Sequence, residues 1–442
     1  MCMSLLLIIL TGCQSDLPAE VNTPISQTIL SDSYHNNPSQ RPEEGADPTS
    51  NPSSQSYPTE TPIKDDSSPK AKSLFEVGKV VYAADLGFDS FGTSFYWSSN
   101  NREAFFEGYQ KNEEGKYTPA VYYYNFKDQK NIKILQGKLD ESFYLDEPIW
   151  SADGQEVLLS FSEDFLDKEP TIYIYNIREE KLEDLSINGR QAEFSTDGTK
   201  ILYVGSDESL HIYQRSDGTI QSLPDEMRGH TPLWFSDNRH ILFFKDTGKN
   251  PFVLDGAQLY SLCVLDTQEP DGLKVLGDER VYQNLHWVLQ DNVAWIDSGW
   301  DDGHYVSLLD INTSAVQELG SMGDNLFLSG RNPRIIWRQM DNTWRVYDTQ
   351  LKNYTEYQES PDQNIMPLSL LPDDRLLFFK STMEDGRKSN LLSVSSDGHT
   401  SILTEDNSYL YPCISPDGSG MAFIDSDGGF LITVDPIMLC DR

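Results

Sequence analysis

One unit recurs along most of this chain, and it limits the fold more than anything else in the sequence. An apolar or aromatic strand ends in Ser or another small residue. A tight polar turn follows, often Asp-Gly, and then a second strand of bulky apolar residues. The clearest copies are IWSADGQEVLLS at 149–160, FSTDGTKILYV at 194–204, WFSDNRHILFF at 234–244, LLPDDRLLFF at 370–379 and ISPDGSGMAFI at 414–424. Weaker copies are YWSSNNREAFF at 96–106, HWVLQDNVAWI at 286–296 and SGRNPRIIWR at 329–338. With Asn101, Asp153, Asp197, Asp237, Asp291, Asn332, Asp373 and Asp417 as markers, the steps are 52, 44, 40, 54, 41, 41 and 44 residues. Asp-Gly and Asn-containing turns tolerate the positive φ that tight hairpins require, so they set strand register.

Each second strand is followed by a third, such as TIYIYNI at 171–177, SLHIYQR at 209–215 or WRVYDTQ at 344–350, and then by a short fourth. Four strands in each such unit predict an all-β chain, a β-propeller of four-stranded blades. Ser-Pro-Asp-Gly at 415–418, Ser-Ala-Asp-Gly at 151–154 and Ser-Thr-Asp-Gly at 195–198 carry a likeness to a known family. The repeat resembles the WD40-like (PD40) repeat of TolB-type propellers, over about residues 94–435. The resemblance implies the fold, and propellers of this type serve many functions. The last unit offers only three strands, whereas GKVVYAAD at 78–85 has no partner of its own. Eight blades are expected, the last closed by residues 78–85, which removes open sheet edges. Seven is the alternative if the 329–352 unit is not an independent blade.

The N-terminus follows a different logic. The apolar stretch Leu5 to Leu10 is far too short to cross a bilayer as a helix but suits the core of an export signal. It runs into Leu10-Thr11-Gly12-Cys13, which resembles the bacterial lipoprotein signal, whose cysteine is acylated and becomes the new N-terminus. Residues 14–73 hold nine of the 23 prolines and only two aromatic residues, Tyr34 and Tyr57. Such a segment cannot bury enough apolar surface to offset the entropy of ordering. As a coil it would span roughly 45 Å. The expected organisation is a lipoprotein signal peptide at 1–12, a palmitate-bearing Cys13 with a disordered linker to 73, and the propeller at 74–442. The expected address is the extracytoplasmic face of a bacterial cell membrane, with the membrane as partner through the Cys13 lipid.

Charge narrows the partners. The chain carries 34 basic and 70 acidic residues, a net of −36, and residues 14–73 account for only −5 of it. The acidity therefore belongs to the folded part. It repels phosphate backbones, so nucleic acid is excluded as a partner, and it attracts cations or basic proteins.

Cysteines and histidines yield no metal or cofactor assignment. Cys413 and Cys440 either form a disulfide that pins the C-terminus or remain two thiols, and spacing leaves both open. Cys263 lies within an apolar strand and reads as a core residue. There is no Cys-x-x-Cys pair, and His35, His211, His230, His240, His286, His304 and His399 are scattered. The Asp-Gly turns lack the alternating acids of a calcium loop. There is no Gly-x-Ser-x-Gly elbow, P-loop or dinucleotide signature, so no catalytic residue is assigned and the chain is expected not to be an enzyme.

Binding is expected on one face. The loops between second and third strands are long at 107–120, 162–170, 245–258, 297–304 and 380–389, while the first-to-second turns are tight. Aromatic residues beside acids, namely Phe165, Phe252 and Trp300 with Asp301, Asp302 and His304, suit recognition of a protein or glycan. The expected function is a non-catalytic binding module for a protein or cell-envelope polymer. The alternatives are a carbohydrate-active propeller resembling oligogalacturonate lyase, with an axial metal, and an envelope assembly component similar to TolB.

Overall fold

A computed structural model of the chain describes residues 78–435 apart from 99–101, 140–142, 164–168, 225–226, 250–258, 270–271, 277–280, 290–291, 299–303, 311–312, 323–325, 330–333, 340, 342, 358–364, 372, 383–387, 407–409, 416–419 and 426. The described strands form eight antiparallel sheets. Seven are built from consecutive strands, and the eighth takes Leu410–Ile414, Met421–Asp425 and Phe430–Val434 from the end of the chain and adds Lys79–Tyr82 as its outermost strand. Lys79 pairs with Thr433 and Tyr82 with Phe430. The chain thus closes on itself, as the unpartnered segment at 78–85 implied.

The apolar core is divided among the gaps between sheets. Eight buried clusters each join one sheet to the next, for example Phe105 with Tyr175, Leu158 with Ile201, Val204 with Phe243 and Leu242 with Val293. The series continues through Val306 with Ile335, Ile336 with Phe378, Leu377 with Phe423 and finally Phe106 with Ala422, which returns to the first sheet. A second strand is therefore buried on both faces. In Lys200–Val204, Ile201 faces the preceding blade and Leu202 the following one. Double-sided burial explains why these strands read as continuous apolar runs rather than alternating ones. Each buried Leu or Phe contributes roughly 1.5–3 kcal/mol relative to exposure.

The first strands sit innermost, each beside the first strand of a neighbouring sheet, as Arg190–Phe194 is beside Gly229–Trp234 and Leu410–Ile414 is beside Ser90–Trp97. Blades are numbered here in chain order from Ser90–Trp97.

The repeat motif has a plain physical role. In blade two, Ser151 Oγ donates to Asp153 Oδ1 at 2.7 Å and accepts the Glu156 amide at 2.9 Å, while Gly154 takes φ 67. Ser195, Asp197 and Gly198 repeat the arrangement in blade three, at 2.7 and 2.9 Å with φ 69. Copies without Gly put Asn238 at φ 57 and Asp374 at φ 64, residues that tolerate the left-handed region.

Two features depart from the sequence reading. Residues 107–120 were expected as a long loop. They are mostly strand, in Glu103–Lys111 and Tyr117–Asn125, and the turn is closed by Asn112, whose Oδ1 accepts the Glu114 and Lys116 amides at 3.0 and 2.9 Å. The expected loops at 297–304 and 380–389 are likewise shortened by strands reaching Ser298 and Thr382 on one side and starting at His304 and Lys388 on the other.

Candidate functional site

The innermost strands are irregular at one end. Register shifts interrupt the pairing of Ser90–Trp97, Arg190–Phe194, Gly229–Trp234, Val281–Leu289 and Ile365–Leu370 with their second strands. In blade two the strand is split into Tyr144–Leu145 and Ile149–Trp150. Bulges of this kind re-aim side chains and gather next to functional sites.

In blades two to four the bulges carry ionisable residues at matching positions. Asp146, Arg190 and His230 each lie seven residues ahead of their turn aspartate, Asp153, Asp197 and Asp237, and Glu147, Gln191 and Thr231 lie six ahead. Gly189 and Gly229 precede the latter two sites because backbone passes too close for a side chain. A Cβ on Gly229 would lie 2.1 Å from Phe244 O, and one on Gly189 2.7 Å from Val204 O. Gln191 sits at φ 52 and Thr231 at φ 47. For a β-branched residue that is a strained conformation, which persists only where the surroundings enforce it.

The enforcement runs from blade to blade. Asp146 Oδ2 accepts the Gln191 amide at 2.8 Å, and Gln191 Oε1 in turn accepts the Thr231 amide at 2.7 Å. Glu193 Oε2 accepts the Trp234 amide at 2.8 Å across the same gap. The second-to-third loops support the rim from outside. Gly189 N donates to Pro170 O at 2.8 Å, Gly229 N to Glu208 O at 3.1 Å and Asp246 N to Arg228 O at 2.8 Å. The rim thus lies on the face where those loops open.

Arg190 is the electrostatic centre of the rim. It forms an ion pair with Glu208 at 3.7 Å, and its charge reaches Tyr144 and Asp146 on one side and His230 and Tyr260 on the other. The His230 ring stands edge-on to Tyr260 with centroids 4.3 Å apart, and its Nδ1 lies 3.3 Å from Thr231 Oγ1. Burial, helped by Arg190, pushes the imidazole down to about 4, against the opposing pull of Asp246, so it is neutral at pH 7. Burial raises Asp146, although the Gln191 and Glu147 amides and the Tyr144 hydroxyl favour its charged form. Burial pushes Glu147 up to about 7, with a smaller push from the neighbouring Asp146. Burial also raises both tyrosines above the usual phenol range. Perturbed groups of both signs gathered at one rim make it the candidate functional site.

The residues singled out from sequence are placed differently. Phe165, Phe252, Trp300, Asp301 and Asp302 lie outside the described residues, as do Cys13 and Cys440. His304 opens the strand His304–Asp310, where its backbone pairs with Ser298 and Met322. Cys413 is disulfide-bonded to a partner outside the described residues, and its Sγ lies 3.0 Å from Phe95 O across the closing gap. Cys263 is a fully buried free thiol. Among the described residues no three His, Cys, Asp or Glu side chains are grouped to hold a metal ion. The rim itself was missed, although its signal was present in the shared spacing from the turn aspartates.

Fold and rim together define a β-propeller with an ionisable inner edge. Solved structures agree on the fold. Porphyromonas gingivalis dipeptidyl peptidase 4 superposes with a TM-score of 0.52 at 11% identity, covering 80% of this chain and 58% of that one. The Dos1 propeller gives 0.52 at 11%, covering 83% and 97%, and the C-terminal WD40 domain of Sif2 gives 0.50 at 13%, covering 83% and 99%. The chain thus spans little more than half of the peptidase, and at such identities the likeness shows the fold alone. No protein-family model matches the chain, and no curated protein matches it in sequence.

Proposed function

We propose that this protein is a non-catalytic binding module, carried on the outer face of a bacterial cell membrane by a lipid on Cys13, and that it meets its ligand at the inner rim of blades two to four. The ligand is a protein or a cell-envelope polymer. The observation that carries the binding reading is the rim. Three consecutive blades hold ionisable groups at one sequence offset, on backbone strained at Gln191 and Thr231. Strand residues that merely pair within a sheet need neither feature. The address rests on Leu10-Thr11-Gly12-Cys13 and on the proline-rich segment that follows. The PD40-like repeat supports kinship with TolB-type propellers. Affinity capture from envelope extracts tests the binding reading, with the full-length chain and its Arg190→Ala, His230→Ala variant as baits. Loss of a captured partner with the variant is expected, and an unchanged set of partners would remove the rim from the reading. Labelled palmitate incorporated by the wild type but not by Cys13→Ala tests the address.

A further inference from the structure

One covalent bond in the closing sheet has no part in the function proposed above. Cys413 is disulfide-bonded, whereas Cys263 is a free thiol. The sequence holds three other cysteines, Cys2, Cys13 and Cys440. Cys2 lies in the segment read as a signal peptide, and Cys13 bears the lipid in the address proposed above. Cys440 is left as the partner, and its reach suffices. Cys413 pairs with Ala422 and Ala422 with Thr433, so Thr433 lies two strand spacings, about 10 Å, from Cys413. Cys440 follows Val434 by six residues, a length that spans up to roughly 20 Å.

The two ends of the seam between the closing sheet and the first blade are held differently. At the rim-side end, Ala83 N donates to Gly429 O at 3.1 Å and Phe91 N to Gly428 O at 2.7 Å. Backbone thus stitches the loop after Met421–Asp425 to the leading segment and to the first blade. Cys413 and Val434 lie toward the opposite end, where the repeat-motif turns open. There Trp97 Nε1 donates to Cys413 O over a longer 3.5 Å, and Cys413 Sγ lies 3.0 Å from Phe95 O. Cys413 is buried in the aromatic cluster that fills the seam. We infer that Cys413 is bonded to Cys440 and that this bond is a redox-set clasp on the ring. The inference rests on the address proposed above, because such a bond forms and persists in an oxidising compartment.

Formation of the clasp is an exchange. The two thiols give up two protons and two electrons to another disulfide, which leaves as a pair of thiols. The covalent loop so closed encloses Met421–Asp425 and Phe430–Val434, while Lys79–Tyr82 stays outside it. Closing a loop removes freedom from the open state. The three strands from the end of the chain are therefore one unit in the oxidised protein, held whether or not the outermost strand is paired. In the reduced protein they depend on that strand.

The test maps peptides of the full-length chain, extracted from membranes in detergent without reductant and with free thiols blocked. A cross-linked Cys413–Cys440 peptide is expected from the wild type and from Cys13→Ala. Amide exchange then compares the oxidised wild type, the wild type after reduction verified by mass, and Cys440→Ser. Exchange in Leu410–Ile414 and Phe430–Val434 is expected to quicken about tenfold or more in the last two, with Lys200–Val204 in blade three unchanged. Cys413 joined to Cys2 or Cys13, Cys413 recovered as a free thiol, or closing-sheet exchange unaltered by both reduction and Cys440→Ser would each overturn the clasp. Equal quickening in blade three would overturn its assignment to the seam. Should palmitate labelling fail while the Cys413–Cys440 peptide is found, the lipid anchor falls and the clasp stands.

Discussion

Two parts of this ring solve opposite problems. Where the first blade meets the closing sheet, the gap is filled with rings: Phe88, Phe91, Phe95, Trp97, Phe106, Tyr122 and Tyr124 form one buried cluster with Ala422, Ile424 and Leu431. Phe95 and Phe106 stack at 6.2 Å, and Phe88 stands edge-on to Phe91 at 4.9 Å. The chain itself crosses there, from Lys79–Tyr82 through Ala83–Leu86 into Ser90–Trp97, and apolar area packs the two sheets together. At the inner rim of blades two to four, the same architecture instead holds Asp146, Glu147, Arg190 and His230, with backbone at φ 52 and 47. The difference shows stability invested at the seam and given up at the rim. That division is expected where an inner edge must hold polar groups away from water.

The contrast can be broken most forcefully at the seam. Phe106 is fully buried, and Phe106→Ala is expected to cost about 3–5 kcal/mol in chemical unfolding. A loss below about 1 kcal/mol would mean that the seam is not where the ring is held. A smaller effect belongs to the approach of backbones under the rim. Gly229→Ala pushes a methyl group against Phe244 O and should cost about 1–3 kcal/mol, with the hairpin of blade four the first to lose amide-exchange protection. Smaller again is the relay. Gln191→Ala leaves the Thr231 amide without its acceptor and should cost about 1–2 kcal/mol, while Gln191→Glu, which keeps an acceptor oxygen, should recover most of it.

The last prediction has the opposite sign. Glu147 has a folded pKa of about 7, above its unfolded value, so the unfolded state binds fewer protons between the two values. Its contribution is therefore unfavourable above pH 7 and is relieved as pH falls toward the unfolded pKa. Glu147→Gln should slightly stabilise the protein at pH 8 and flatten the pH dependence of the melting temperature between about 4 and 7. A variant less stable than the wild type at pH 8 would show that the charged carboxylate is favoured in the fold, and would blur the line between rim and seam.

The fold was readable because its signal is repeated and local. Ser151, Asp153 and Gly154 close a hairpin within six residues, and Ser195, Asp197 and Gly198 do it again, so periodicity alone exposed the blades. The closing strand was readable for a related reason, since an orphan apolar strand at one end matched a missing strand at the other. The rim was not, because its contacts skip a whole blade length. Asp146 meets the Gln191 amide and Gln191 meets the Thr231 amide over separations of 45 and 40 residues. Bulges hid it further, because an extra residue breaks the alternation that tells inward from outward side chains. Loop length misled in the opposite way. The polar run at 107–120 looked like a loop, yet nine-residue strands pair almost to its tip.

The four-residue ladder of Lys79–Tyr82 on Phe430–Thr433 has a mechanical consequence. Any load applied to the chain ahead of Lys79 reaches this ladder before it reaches any other strand. The same ladder is what shuts the circle, so tension at the leading end bears directly on the latch. Such a latch yields by shedding one outer strand while the seven sheets made of consecutive strands keep their own pairing, and it can snap back once the pull is gone.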